Sequence, residues 1–97
     1  MITRQITREN LKNGVLVRHF KGGIYRIIGV AKLTETPEEL VIYSPHNDSA
    51  LLYARPIDMF LSKVDKNKYP YIRQKYRFEI ITNQNKEVVH EITEQDL

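Results

Sequence analysis

Arg18-His19-Phe20-Lys21-Gly22-Gly23 sets two cations, an imidazole and an aromatic ring ahead of paired glycines. These residue types suit an anion. A guanidinium grips a phosphate as a fork, and a lysine acts as a point charge. Exposed amides in a Gly-rich turn can add donors around an anion. The same residues also make a plain hairpin, in which glycine supplies a positive φ and the charges are solvated. A strand would point Arg18 and His19 to opposite faces. A Walker-type phosphate loop is excluded, because the Gly-x4-Gly-Lys-Ser/Thr pattern is absent.

A second cation stands at Arg55-Pro56, at the end of a stretch that places Leu51, Tyr53 and Arg55 on one face. An arginine on an apolar face requires an anionic partner. Glu38 or Glu39 would supply a structural one, and a ligand phosphate a functional one. Tyr25, Tyr43 and Tyr53 can pack in a core or stack on a base. The candidate ligand-binding set is therefore Arg18, His19, Lys21, Gly22, Gly23, Tyr25, Tyr43, Tyr53, Arg55 and Arg73.

Other chemistry is poorly represented. The chain has no cysteine and three scattered histidines, His19, His46 and His90, which argues against a metal centre. His46, Asp48 and Ser49 share one short turn, too close in sequence for the geometry of a hydrolase triad. No acid–base pair or nucleophile stands out, so the expectation is a binding protein without enzymatic activity and without a cofactor.

Charge is unevenly distributed. The 97 residues carry a formal charge of +3, with a pI near 9.2. Six bases and one acid lie between Lys63 and Arg77, interleaved with Tyr69, Tyr71 and Tyr76. Bases beside aromatics are the parts of a single-stranded nucleic-acid surface. They are equally the parts of a hairpin whose rings pack on the domain under lysine stems. Beyond Asn83 the tail holds Glu87, Glu91, Glu94 and Asp96 against Lys86. A modest net charge with an acidic tail favours a small anionic ligand over a long polyanion. No run approaches the length of a membrane span, and MITRQITREN lacks a signal-peptide core. The expected setting is soluble and cytoplasmic, with no membrane partner.

The elements that must position these residues are short. Thr7–Lys12 suits one helical turn, stopped by Asn13-Gly14 with Gly14 in a left-handed conformation. Val15–Phe20 and Ile24–Ala31 read as strands around Gly22-Gly23. Leu33–Glu39 is a loop, Leu40–Tyr43 a strand, and Ser44–Ser49 a dense turn. Leu51–Arg55 is a strand closed by Pro56, and Ile57–Leu61 a helical turn plugging one end of a sheet. Lys66–Lys68 is a turn; Tyr71-Ile72 and Tyr76–Thr82 are extended. Asn83–Lys86 is a turn and Glu87–Ile92 a last strand. This spacing predicts a single, mostly β domain over 1–97. The architecture is a small antiparallel SH3-like barrel with one or two helical turns, or else an OB-like barrel. Residues 14–78 form its core, and 83–97 add a strand and an acidic tail.

Three segments in order carry a family resemblance: Val17–Tyr25, Thr36–Tyr43 and Tyr53–Phe60. They contain a His-aromatic-Lys-Gly pattern, a Thr-x-Glu-x-x-Val-x-Tyr pattern and an Arg-Pro-x-x-Met-Phe pattern. The chain thereby resembles the domain-of-unknown-function family sixteen fifty-three of bacteria and their phages, from about Gly14 to Phe78. Members usually have Trp where this chain has Tyr53. The resemblance implies a compact, mostly β domain and brings no catalytic mechanism. For a phage-type member it fits a small accessory protein such as one that captures a nucleotide signal.

The combined expectation is a module for a small phosphate-bearing ligand, a nucleotide above all. Arg18, Lys21, Arg55 and Arg73 would contact phosphate, and Tyr25, Tyr43 or Tyr53 would stack on the base. Two alternatives stand beside it. One is a protein-interaction or homo-oligomerisation module working through open sheet edges. The other is a single-stranded nucleic-acid binder.

Overall fold

A computed structural model of the chain describes residues 2–82. Six strands form one antiparallel sheet: β1 (Ile2–Gln5), β2 (Leu16–His19), β3 (Ile24–Lys32), β4 (Glu39–Pro45), β5 (Tyr53–Pro56) and β6 (Phe78–Thr82). Their spatial order is β1-β6-β2-β3-β4-β5. A 3-10 turn (Arg8–Asn10) follows β1, and one helical turn, α1 (Ile57–Phe60), follows β5. The mostly β class with short helical turns is therefore as expected. The sheet is open at β1 and β5 rather than closed into a barrel. No helix among the described residues is long and apolar enough to cross a membrane.

The middle of the sheet follows from the residue pattern. Val15, Val17, Ile27, Val41 and Ile80 are fully buried, in a cluster with Tyr43, Phe60 and Phe78. β6 is buried at every position, consistent with its place between two strands. Pro56 ends β5, and the turn after it drives Phe60 into the cluster. Phe60 stacks on Phe78 at 4.0 Å with rings inclined by 6°. Removing a ring of this size from water contributes about 2–3 kcal/mol. The register of β3 on β4 shifts between Ile27 and Gly29, a bulge that bends the strand and strengthens its twist.

Several boundaries differ from the sequence expectation. The sequence reading places its first element at Thr7, and residues 2–5 stand outside it. They form an edge strand, supported by pairing with Glu79–Thr82. β4 is longer than Leu40–Tyr43, and β5 begins at Tyr53 rather than Leu51. Tyr71-Ile72 is not paired in the sheet; Tyr71 lies in a turn, and β6 begins at Phe78 rather than Tyr76. Gly14 has the expected positive φ, 93°. The expected strand Glu87–Ile92 lies outside the described residues.

Candidate aromatic–arginine site

Alternation along five adjacent strands, β6-β2-β3-β4-β5, brings one set of side chains to the same face. Tyr43 of β4 stands opposite Tyr53 of β5, and Val41 opposite Arg55. On the other side Ile27 of β3 opposes Tyr43, which sets Tyr25 diagonal to it. His19 of β2 faces Phe78 of β6. These six residues (His19, Tyr25, Tyr43, Tyr53, Arg55 and Phe78) line a cleft of about 200 Å³.

The three tyrosines pack against one another. Ring centroids are 5.5 Å apart for Tyr25–Tyr43, 5.6 Å for Tyr43–Tyr53 and 6.3 Å for Tyr25–Tyr53. These separations and tilts match favourable edge-to-face packing. Tyr43 is buried, whereas Tyr53 is 39% exposed and offers its ring to solvent. Arg55 donates from Nε to the Tyr43 hydroxyl at 3.2 Å. The structural partner expected for Arg55 among Glu38 and Glu39 is not the observed one. Glu39 lies at the start of β4, where Arg8 takes its carboxylate at 2.6 Å. The outer part of the Arg55 guanidinium is thus not engaged by a carboxylate among the described residues.

His19 is held in one protonation state. Its Nδ1 accepts the Lys21 amide at 3.1 Å, which leaves the proton of the neutral ring on Nε2. Burial, with the charges of Arg77, Arg55 and Lys21 behind it, pushes the His19 pKa down to about 4. At neutral pH the ring is therefore an uncharged N–H donor beside three cations.

The two glycines have different causes. Gly22 has φ 107°, a conformation that strains any other L-residue. Gly23 lies under the Tyr25 ring, and a Cβ there would come within 3.0 Å of it. The turn also uses its own amides: Lys21 donates to the His19 ring and Gly22 to the His19 carbonyl. Those two donors shape the hairpin and are not presented to an anion.

The ten candidates therefore divide. His19, Tyr25, Tyr43, Tyr53 and Arg55 converge, with Gly23 beneath them. The Lys21 Nζ sits over the rings of Phe20 and Tyr69, at 5.8 and 5.4 Å. Arg18 and Arg73 lie elsewhere, because alternation turns Arg18 away from His19. Both line a different groove. Phe78 and Arg77 were not among the candidates. Phe78 joins the site only through the β2–β6 pairing, which no local pattern in the sequence encodes. Among the described residues, no three His, Asp or Glu side chains gather as a metal ion requires.

Comparison with known proteins adds one finding. Residues 15–80 match the family model described as a protein of unknown function, DUF1653. The chain belongs to this family. The DUF1653 match contains every residue of the aromatic–arginine cleft and ends within β6. No curated protein and no solved structure matches the chain significantly.

Proposed function

We propose that this DUF1653 domain is a non-catalytic binding module for a small ligand with a flat ring and an anionic group, namely a mononucleotide. The observation that carries the reading is the convergence of Arg55, the His19 N–H and three tyrosine rings on one cleft. In this arrangement Arg55 takes the phosphate, the His19 Nε2–H adds a neutral donor, and the exposed ring of Tyr53 stacks on the base. Arg77 and Lys21 add positive field, as their effect on His19 indicates. The cleft is smaller than an ordinary ligand pocket, which runs from about 300 Å³. It suits one ring and its charged group, not a dinucleotide. Tyr25 also borders a separate cavity of about 340 Å³ with Pro45, His46 and Asn47. Holding a nucleotide without turning it over would suit sequestration of a nucleotide signal.

A thermal-shift screen with nucleoside mono-, di- and cyclic phosphates tests this. A ligand at 100 times its dissociation constant stabilises by about 2.7 kcal/mol, a rise in Tm of about 10 °C or more for a domain of this size. No shift with any of them overturns the reading.

A second reading draws on a separate observation. β5 is an edge strand of four residues; Leu52 just before it and Tyr53, its first residue, are 60% and 39% exposed. Such an edge can add a strand from another chain. Size-exclusion chromatography over a range of concentrations tests it. A constant monomer volume counts against self-association.

A further inference from the structure

The opposite side of β2 carries a second constellation. Arg18, Arg73, Lys75, Phe20 and Tyr71 line an open groove of about 500 Å³, with Glu79 and Thr3 also in its lining. We propose that this groove is a distinct binding site for single-stranded nucleic acid. In it Tyr71 stacks on a base, and Arg18, Arg73 and Lys75 contact the phosphates.

Tyr71 is 95% exposed, so both faces of its ring are open to a ligand. An isolated exposed ring is unremarkable on a protein surface. Here it projects from a pinned segment. Lys66 spends its ammonium on the carbonyls of Ile72 and, at 2.8 Å, Gln74. The Gln74 amide donates to the carbonyls of Arg18 and Tyr76, each at 2.9 Å, tying the segment to β2. The Asp65 carboxylate accepts the Asn67 amide at 3.0 Å and closes the preceding turn. The ordering cost of presenting Tyr71 is thus met before any ligand arrives.

The charges are arranged for a phosphate chain. Arg18 and Arg73 have no carboxylate partner among the described residues. Glu79, opposite Arg18 across the β2–β6 pairing, sets one negative charge against them. Its carboxylate is fixed in place by the Thr3 hydroxyl at 2.8 Å and the amides of Lys75 and Tyr76 at 3.1 Å, and the residue is 9% exposed. The lining therefore holds three cations, Arg18, Arg73 and Lys75, against one carboxylate. That number is small for a duplex, and a stacking ring needs a base outside a helix, so a single strand is the matching partner.

Fluorescence anisotropy with labelled oligouridylate and oligothymidylate of about ten residues, a length suited to a small β domain, provides the test. Three neutralised phosphates give a slope of about −2 in log affinity against log salt. Binding should therefore weaken about 20-fold between roughly 50 and 200 mM salt. Tyr71→Ala should cost about tenfold by loss of stacking. Arg73→Ala should reduce the slope by about 0.7. Arg55→Ala, on the other face, should change neither. Both groove residues are exposed, and unchanged circular dichroism establishes that the variants are folded. No binding at about 50 mM salt overturns the proposal. So does equal affinity of Tyr71→Ala, or equal affinity for a duplex of the same length. Failure here leaves the mononucleotide reading standing, since that reading uses none of these side chains.

Discussion

Arg18 and His19 are neighbours in the chain and belong to two different environments. The His19 face is partly desolvated: its imidazole is kept neutral, its rings are packed, and its arginine is anchored on a tyrosine hydroxyl. The Arg18 face is an open basic groove under a fully exposed tyrosine. The period of two along a strand separates them. A cluster that reads as one anion-binding motif in sequence is therefore split by the sheet. A desolvated face strengthens each polar contact and selects a small ligand by shape. A solvated face acts by summed charge and is weakened by salt.

The contrast can be broken first through stability. Phe60→Ala removes a fully buried ring stacked on Phe78 and should cost about 3–5 kcal/mol in chemical denaturation. Tyr71→Ala, on the exposed side, should stay within about 0.5 kcal/mol. Equal costs would mean that the two faces do not differ as described. Next in size is the hairpin that joins β2 to β3. Gly22→Ala forces a positive φ on a residue with a Cβ and should cost about 1–2 kcal/mol. Gly23→Ala should have its main effect on the ligand, since it displaces the Tyr25 ring.

A smaller effect comes from pH. The folded His19 pKa, about 4, lies below its ordinary value of 6.5. As pH falls from about 6.5 toward 4, the unfolded chain takes up a proton that the folded chain refuses, and stability declines. Above that window His19 contributes no pH dependence. His19→Gln should flatten the acid limb of a Tm-against-pH curve, whereas Arg18→Gln should leave it in place. The smallest effect belongs to the surface pair Arg8–Glu39. Arg8→Ala should leave the Tm nearly unchanged, and the small difference should vanish in high salt.

Much of this contrast is legible in the sequence, for local reasons. The glycine pair marks the β2–β3 turn, and alternation puts Tyr53 and Arg55 on one face. The strand order is not local. β6 inserts between β1 and β2, so Phe78 meets His19 and Glu79 meets Arg18 across a long sequence separation. Residues 2–5 carry polar side chains suited to an edge, and only their pairing with β6 makes them a strand. The fate of Lys66 was equally hidden. It reads as a surface cation, yet it caps two carbonyls of the segment that presents Tyr71.

The measurement that bears most directly on the account is a thermal shift with a saturating nucleoside monophosphate. It should be run side by side on the unmodified domain, Arg55→Ala and Arg73→Ala. The account predicts equal upward shifts for the unmodified domain and Arg73→Ala, and a shift largely lost in Arg55→Ala. A shift that survives Arg55→Ala but disappears in Arg73→Ala would place the nucleotide on the wrong face and contradict it.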